Sequence, residues 1–133
     1  MIVTCEFAPR ARATKARVAS SALNEAAAQL RAYFAKRLRR FDLPLAFAGT
    51  PLQVAVWSLV SHLEVGELIS YGDVARAVGS PGAHRGVAAA MGRSPYDLLI
   101  PAHRVIGADG KIKGAGPNSI RRRLLAFEGI HLT

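Results

Sequence analysis

A single cysteine, Cys5, stands in a chain of 133 residues. One thiol excludes an internal disulfide and fits a reducing cytosol. Cys5 has no neighbouring histidine and no turn to expose it, so it reads as a bystander. Acidic side chains are scarce too: 9 Asp and Glu against 18 Lys and Arg give a net charge of +9. That imbalance points to a polyanion, although charge alone leaves a merely soluble basic protein open. No apolar run nears ~18 residues before Gly, Pro or charge interrupts it, so no membrane-spanning helix is expected. Residues 1–6 lack a basic start followed by an apolar stretch, and no secretion signal is expected. His62, His84, His103 and His131 are not at zinc-ligand spacing, and no metal or other cofactor is expected.

What is present is half apolar by composition, enough to bury the core of one domain. Residues 21–40 carry Leu23, Ala27, Leu30, Phe34 and Leu38 at three- and four-residue steps, the period of an amphipathic helix. Lys36, Arg37, Arg39 and Arg40 crowd its end, where cations suit the helix dipole. Residues 41–47 read as extended around Pro44. Thr50, Pro51 and Gln53 spell an N-cap, a first-turn proline and a capping box, with Leu52, Val56, Leu59 and Leu63 as the buried stripe. Ser70 caps a second, short helix that ends at Gly79, and a tight turn at 79–82 leads into a helix of small residues over 83–92. Helix, Gly/Pro turn, helix is the helix-turn-helix layout. Residues 98–100 then predict a strand, residues 105–112 a small hairpin, and residues 118–128 a last helix with Ile120, Leu124 and Phe127 on one face. Arg121, Arg122 and Arg123 are expected on its solvent side. The expected fold is therefore mainly α with a small β-hairpin.

Between the strand and the hairpin lies Ile100-Pro101-Ala102-His103-Arg104-Val105. This run, together with Gly49-Thr50-Pro51, Trp57, Ile69-Ser70-Tyr71-Gly72, Ala83-His84-Arg85, Ala90-Met91-Gly92 and Leu124-Leu125-Ala126-Phe127-Glu128-Gly129, resembles the O6-alkylguanine-DNA alkyltransferases. The likeness covers residues 49–133 and implies that family's winged helix-turn-helix-like C-terminal, DNA-binding domain. Residues 1–48 resemble only the last helix and strand of the family's N-terminal domain, and read as a truncated remnant of it.

The resemblance assigns roles. An alkylated guanine inside a duplex is unreachable, so the nucleotide must be rotated out of the stack. Arg85 would fill the vacated space, its flat guanidinium both stacking and donating; its bland alternative is a phosphate contact. Tyr71 would push on the neighbouring phosphate, with a core or boundary tyrosine as the alternative. Ala83, Gly86, Ala89 and Ala90 would let the second helix lie close in a minor groove, and Ser94 stands where the family has an Asn on the DNA side. Pro101, Ala102, His103, Val105, Met91 and Ala115 would line the lesion pocket.

At the reaction centre the family carries a cysteine where this chain has Ala102, activated through His and Glu counterparts of His103 and Glu128. Alanine has no lone pair to accept an alkyl group. The loop at 113–117 also lacks the family's Tyr and is one residue shorter. These departures resemble the alkyltransferase-like proteins, and the expectation is a monomeric, non-catalytic sensor. It would bind double-stranded DNA containing O6-alkylguanine and pass the lesion to nucleotide excision repair proteins. Two alternatives stay open: a methylated-DNA–protein-cysteine methyltransferase with Cys replaced by Ala at 102, and a sequence-specific helix-turn-helix regulator. The second helix offers little beyond His84, Arg85 and Arg93 for reading base edges.

Overall fold

The computed structural model describes residues 21–96, 98–112 and 119–131. Among the described residues five helices, α1 (Ser21–Phe34), α2 (Pro51–Val60), α3 (Tyr71–Ala77), α4 (His84–Gly92) and α5 (Ile120–Phe127), surround one core. A single 3-10 turn (Ala102–Arg104) precedes β2 (Val105–Ile106), which pairs in parallel with β1 (Ile69–Ser70), Ile69 opposite Val105. The architecture is mostly helical, as expected. None of the described helices is long and apolar enough to cross a membrane.

Local chemistry explains most boundaries. Thr50 Oγ1 accepts from Gln53 N, and Gln53 Oε1 accepts from Thr50 N at 2.9 Å, so both halves of the capping box form. Ser70 and Ser119 cap α3 and α5 the same way, each hydroxyl accepting from the backbone N–H three residues on. Three helices close with one device. A residue at positive φ follows the helix, and the next N–H reaches back five residues: Arg37 to Ala32, Ser80 to Ala75, Ile130 to Leu125. The left-handed residue is Gly79 at φ 80° and Gly129 at φ 91°, but Lys36 at φ 60°. Lys36 thus ends α1 at Phe34, six residues short of the expected limit.

Two further expectations are corrected. Residues 98–100 are not a strand: Leu98 sits at φ 64°, which breaks the extended conformation. Nor do Val105 and Ile106 form a hairpin with Lys111 and Ile112. Their sheet partner is β1, and the turn that follows is closed within itself, by Gly107 N to Lys111 O at 2.8 Å, Gly110 N to Gly107 O at 2.9 Å and Lys111 N to Asp109 Oδ1 at 3.1 Å.

The core is continuous from α1 to α5. Trp57 is 3% exposed and donates its indole N–H to the carbonyl of Ala90 at 2.8 Å, which locks α2 to α4. The buried side of α2 is Val56, Trp57 and Val60; Leu52, Leu59 and Leu63 are only half-buried. On the other flank Tyr33, Phe34, Phe41 and Phe127 stack with ring centroids 5.0–5.6 Å apart. The extended segment over 41–47 has almost no sheet partner, and side chains satisfy it instead. The amide of Gln29 both donates to and accepts from Asp42, and the hydroxyl of Tyr96 does the same for Ala46.

Candidate DNA-binding face and base pocket

The Pro101–Val105 motif is built around one carboxylate. Glu128 caps the C-terminal end of α5 and is 1% exposed in its side chain. Its Oε2 accepts from His103 Nε2 at 2.6 Å, from Arg104 Nη2 at 2.9 Å and from the Tyr33 hydroxyl at 2.6 Å. Its Oε1 accepts from Arg104 Nε at 2.9 Å. Arg104, 1% exposed, uses its remaining nitrogen on the carbonyl of Leu63 at 2.7 Å. A guanidinium survives such burial only when its donors are matched in this way.

The electrostatics follow. Burial pushes the Glu128 carboxyl up, but the hydrogen bonds from His103, Arg104 and Tyr33 outweigh it and hold it at about 2. For His103 burial dominates and lowers the pKa below 6.5; Glu128 opposes this, and the Arg104 and Arg121 cations reinforce it. Burial also raises the Tyr33 hydroxyl, with the Glu128 charge beside it adding to the shift. An ionised carboxylate can only accept, so the neutral imidazole must carry its proton on Nε2. The lone pair is left on Nδ1, where it can take a proton from a neighbour.

Beside this cluster opens a cavity of about 310 Å³, lined by Met91, Ser94, Leu98, Ala102, His103 and Arg121 among others. Met91, Ala102 and His103, expected in the lesion pocket, line this cavity together. Pro101 and Val105 do not line it: Pro101 is buried behind the 3-10 turn, and Val105 is 0% exposed because β2 pairs with β1 inside the core. Ser94, expected on the DNA side, lines this cavity and donates to the Tyr96 carbonyl at 3.3 Å. Ala115 and the loop at 113–117 lie outside the described residues, as does Cys5.

The second helix of the helix-turn-helix, α4, divides cleanly. Arg85 and Ala89 are exposed and Ala83 half-exposed. Ala90 is 0% exposed, its carbonyl held by Trp57, so it faces the core and not a groove. Gly86 faces α2: a Cβ there would come within 2.8 Å of Leu52 Cδ2, so its smallness serves helix packing. The exposed small residues of α4 are Ala88, Ala89 and Gly92, of which only Ala89 was among those expected to face a groove. Tyr71, the first residue of α3, is 8% exposed and belongs largely to the core. Arg121 and Arg122 are half-buried, leaving only Arg123 of the three on the open surface. Tyr33 escaped sequence reasoning altogether, because 95 residues separate it from the carboxylate it serves.

Comparison with known proteins places this arrangement. The profile of the family "6-O-methylguanine DNA methyltransferase, DNA binding domain" matches residues 51–130. The methylated-DNA–protein-cysteine methyltransferase of Methanosarcina acetivorans is 44% identical over 106 residues, which cover 79% of this chain and 68% of that protein. Among solved structures, OGT of Mycobacterium tuberculosis in complex with DNA is 43% identical, with a TM-score of 0.73 over 79% of this chain and 65% of that one. S. pombe Atl1, in complex with damaged DNA containing O6-carboxymethylguanine, is 27% identical, with a TM-score of 0.56 over 64% of this chain and 82% of that one. The chain thus spans about two thirds of the length of the methyltransferases it resembles. These relatives bear the names of catalytic proteins, and this corrects the expectation of a non-catalytic one. That expectation leaned on Ala102 and a few departures around it, whereas the similarity runs over more than a hundred positions. The chain belongs to the 6-O-methylguanine DNA methyltransferase family, through its DNA-binding domain.

Proposed function

We propose that this chain binds O6-alkylguanine turned out of duplex DNA, as a methylated-DNA–protein-cysteine methyltransferase whose acceptor position is occupied by Ala102. The observation that carries the reading is the cavity at Ala102, walled by a neutral His103 whose tautomer the buried Glu128 sets. The exposed Arg85 on α4 supports a finger that enters the duplex as the base leaves it. The surrounding net charge supplies sequence-independent affinity for phosphates.

In this reading the proton-handling group is assembled and the atom that takes the alkyl group is missing. A thiol introduced in place of the Ala102 methyl would lose its proton to Nδ1 of His103, directly or through one water. Its sulfur would bond to the alkyl carbon as the C–O6 bond breaks, the electron pair staying on the guanine oxygen. The guanine then gains a proton and the sulfur keeps the alkyl group.

The test is the Ala102→Cys variant, mixed with duplex carrying one O6-methylguanine with a labelled methyl. One methyl per chain is expected on the introduced sulfur, in a single turnover slowed by Ser94 in place of the family's Asn. Unsubstituted protein is expected to bind that duplex in preference to plain duplex. A variant that binds the lesion and takes up no methyl overturns the proposal. So does unsubstituted protein that cannot tell the two duplexes apart.

A further inference from the structure

Among the described residues, Arg121 is the one cation on the wall of this cavity besides the titratable His103. It occupies the first turn of α5, just after the Ser119 cap, is half-buried, and lies close enough to His103 for its charge to act on the imidazole. The nearest buried carboxylate, Glu128, is already taken: Tyr33, His103 and Arg104 fill its two oxygens. Among the described residues no carboxylate pairs with Arg121. The rest of the wall is mainly apolar, with Met91, Leu98 and Ile100. A guanidinium partly withdrawn from water, with no anion paired to it among the described residues, has donors to offer an incoming ligand. Ala102 adds room, since its methyl group leaves the space a sulfur would take.

We propose that Arg121 makes this pocket selective for O6 adducts that carry an anionic group, a carboxymethyl group being the smallest suitable case. The inference rests on the reading above that the cavity receives the flipped base. The carboxylate would meet the guanidinium in a charge-assisted, two-pronged hydrogen bond, with the guanidinium half-buried at the cavity wall. A neutral adduct of equal size would gain the apolar contacts alone. The same guanidinium could instead hold a backbone phosphate of the turned-out nucleotide, and the two sources of anionic oxygen predict different patterns.

The experiment is equilibrium binding to four duplexes that differ only at one guanine: unmodified, O6-methyl, O6-propyl and O6-carboxymethyl. The chain as it stands is expected to bind the carboxymethyl duplex about tenfold more tightly than the propyl duplex. Arg121→Gln is expected to bring that ratio, measured within the variant, close to one. Arg121→Lys, which keeps the cation, is expected to retain part of the preference and guards against a folding artefact. A ratio near one in the unsubstituted chain, or a ratio that survives Arg121→Gln, overturns the inference and leaves the pocket reading standing. Equal loss on all four duplexes places Arg121 on the phosphate backbone and also overturns it. Failure to prefer any alkylated duplex over the unmodified one overturns the pocket reading, and this inference with it.

Discussion

The cluster around Glu128 and the outer face of α4 are opposite kinds of surface. Around Glu128, four side chains from α1, the 3-10 turn and the end of α5 meet with almost every polar atom matched and almost no exposure. Along α4, Arg85, Ala88, Ala89 and Gly92 are open and mostly small, and α2 holds the helix from behind through Trp57 and Gly86. The first region is finished within the protein. The second is left open to solvent. A site that handles protons needs groups whose charge states are fixed in advance, and burial with matched partners achieves that. A surface that lies along a nucleic acid needs close approach and few side chains of its own to desolvate. Substitutions in the first region should therefore register as stability, and substitutions in the second as binding.

The largest expected effect is at Glu128. Glu128→Leu removes the carboxylate and leaves the Arg104 guanidinium buried without its main partner, at a cost of about 3–5 kcal/mol in unfolding free energy. Chemical denaturation would show it, and a loss under about 1 kcal/mol would mean the cluster is not the internal anchor described here. The acid limb gives an independent reading. Glu128 is held at about 2 against an ordinary 4.5, so its contribution is complete above pH 4.5 and is lost as pH falls toward 2. His103, held neutral below its ordinary 6.5, acts in the same direction, because the unfolded chain takes up its proton first as pH drops. The folded chain should thus lose stability steadily below about pH 6.5, and Glu128→Leu should flatten the portion below pH 4.5.

Tyr33→Phe comes next and sharpens the comparison, since the ring can stay among Phe34, Phe41 and Phe127 while the hydroxyl is lost. A hydrogen bond to a charged acceptor is worth about 1.5–3 kcal/mol, and that is the expected loss of stability. The carboxylate, with one donor fewer, should hold its proton partners more strongly. The pKa of His103, followed by NMR titration, should accordingly move up toward 6.5. A stability loss without that upward movement would make Tyr33 a packing residue only.

How much of this was legible in the sequence depends on how local each signal is. The capping box at Thr50 and Gln53, the cap at Ser70 and the closing glycines Gly79 and Gly129 are written within a few residues and stand as read. Lys36 performs the same closing role as those glycines but carries no composition cue, so α1 looked longer than it is. The missing hairpin has the same origin. Val105 and Ile106 are β-branched residues ahead of a turn at 107–110, yet they pair with Ile69 and Ser70, some 36 positions away, and nothing local announces a distant partner. Within the site, the His103–Glu128 pair was readable through resemblance, while the Tyr33 contribution arises only when α1 packs on α5. On α4 the pattern of small residues could not by itself separate those facing α2, Gly86 and Ala90, from those facing outward.

Arg85 is where the two regions should part most clearly. It is exposed on the first turn of α4, so Arg85→Ala should leave the unfolding free energy within about 0.5 kcal/mol of the unsubstituted chain. If its guanidinium fills the gap left by the turned-out base, binding to O6-methylguanine duplex should weaken by about 1–3 kcal/mol, with plain duplex much less affected. If it only touches a phosphate, both duplexes should weaken alike and the slope of affinity against salt should fall by about one. Arg123→Ala, on the open face of α5, supplies the reference for a surface cation. Binding titrations at two salt concentrations separate the cases. A lesion-specific loss with unchanged folding would place Arg85 in the duplex, whereas a shared loss matching Arg123→Ala would reduce it to one more positive charge on a basic protein.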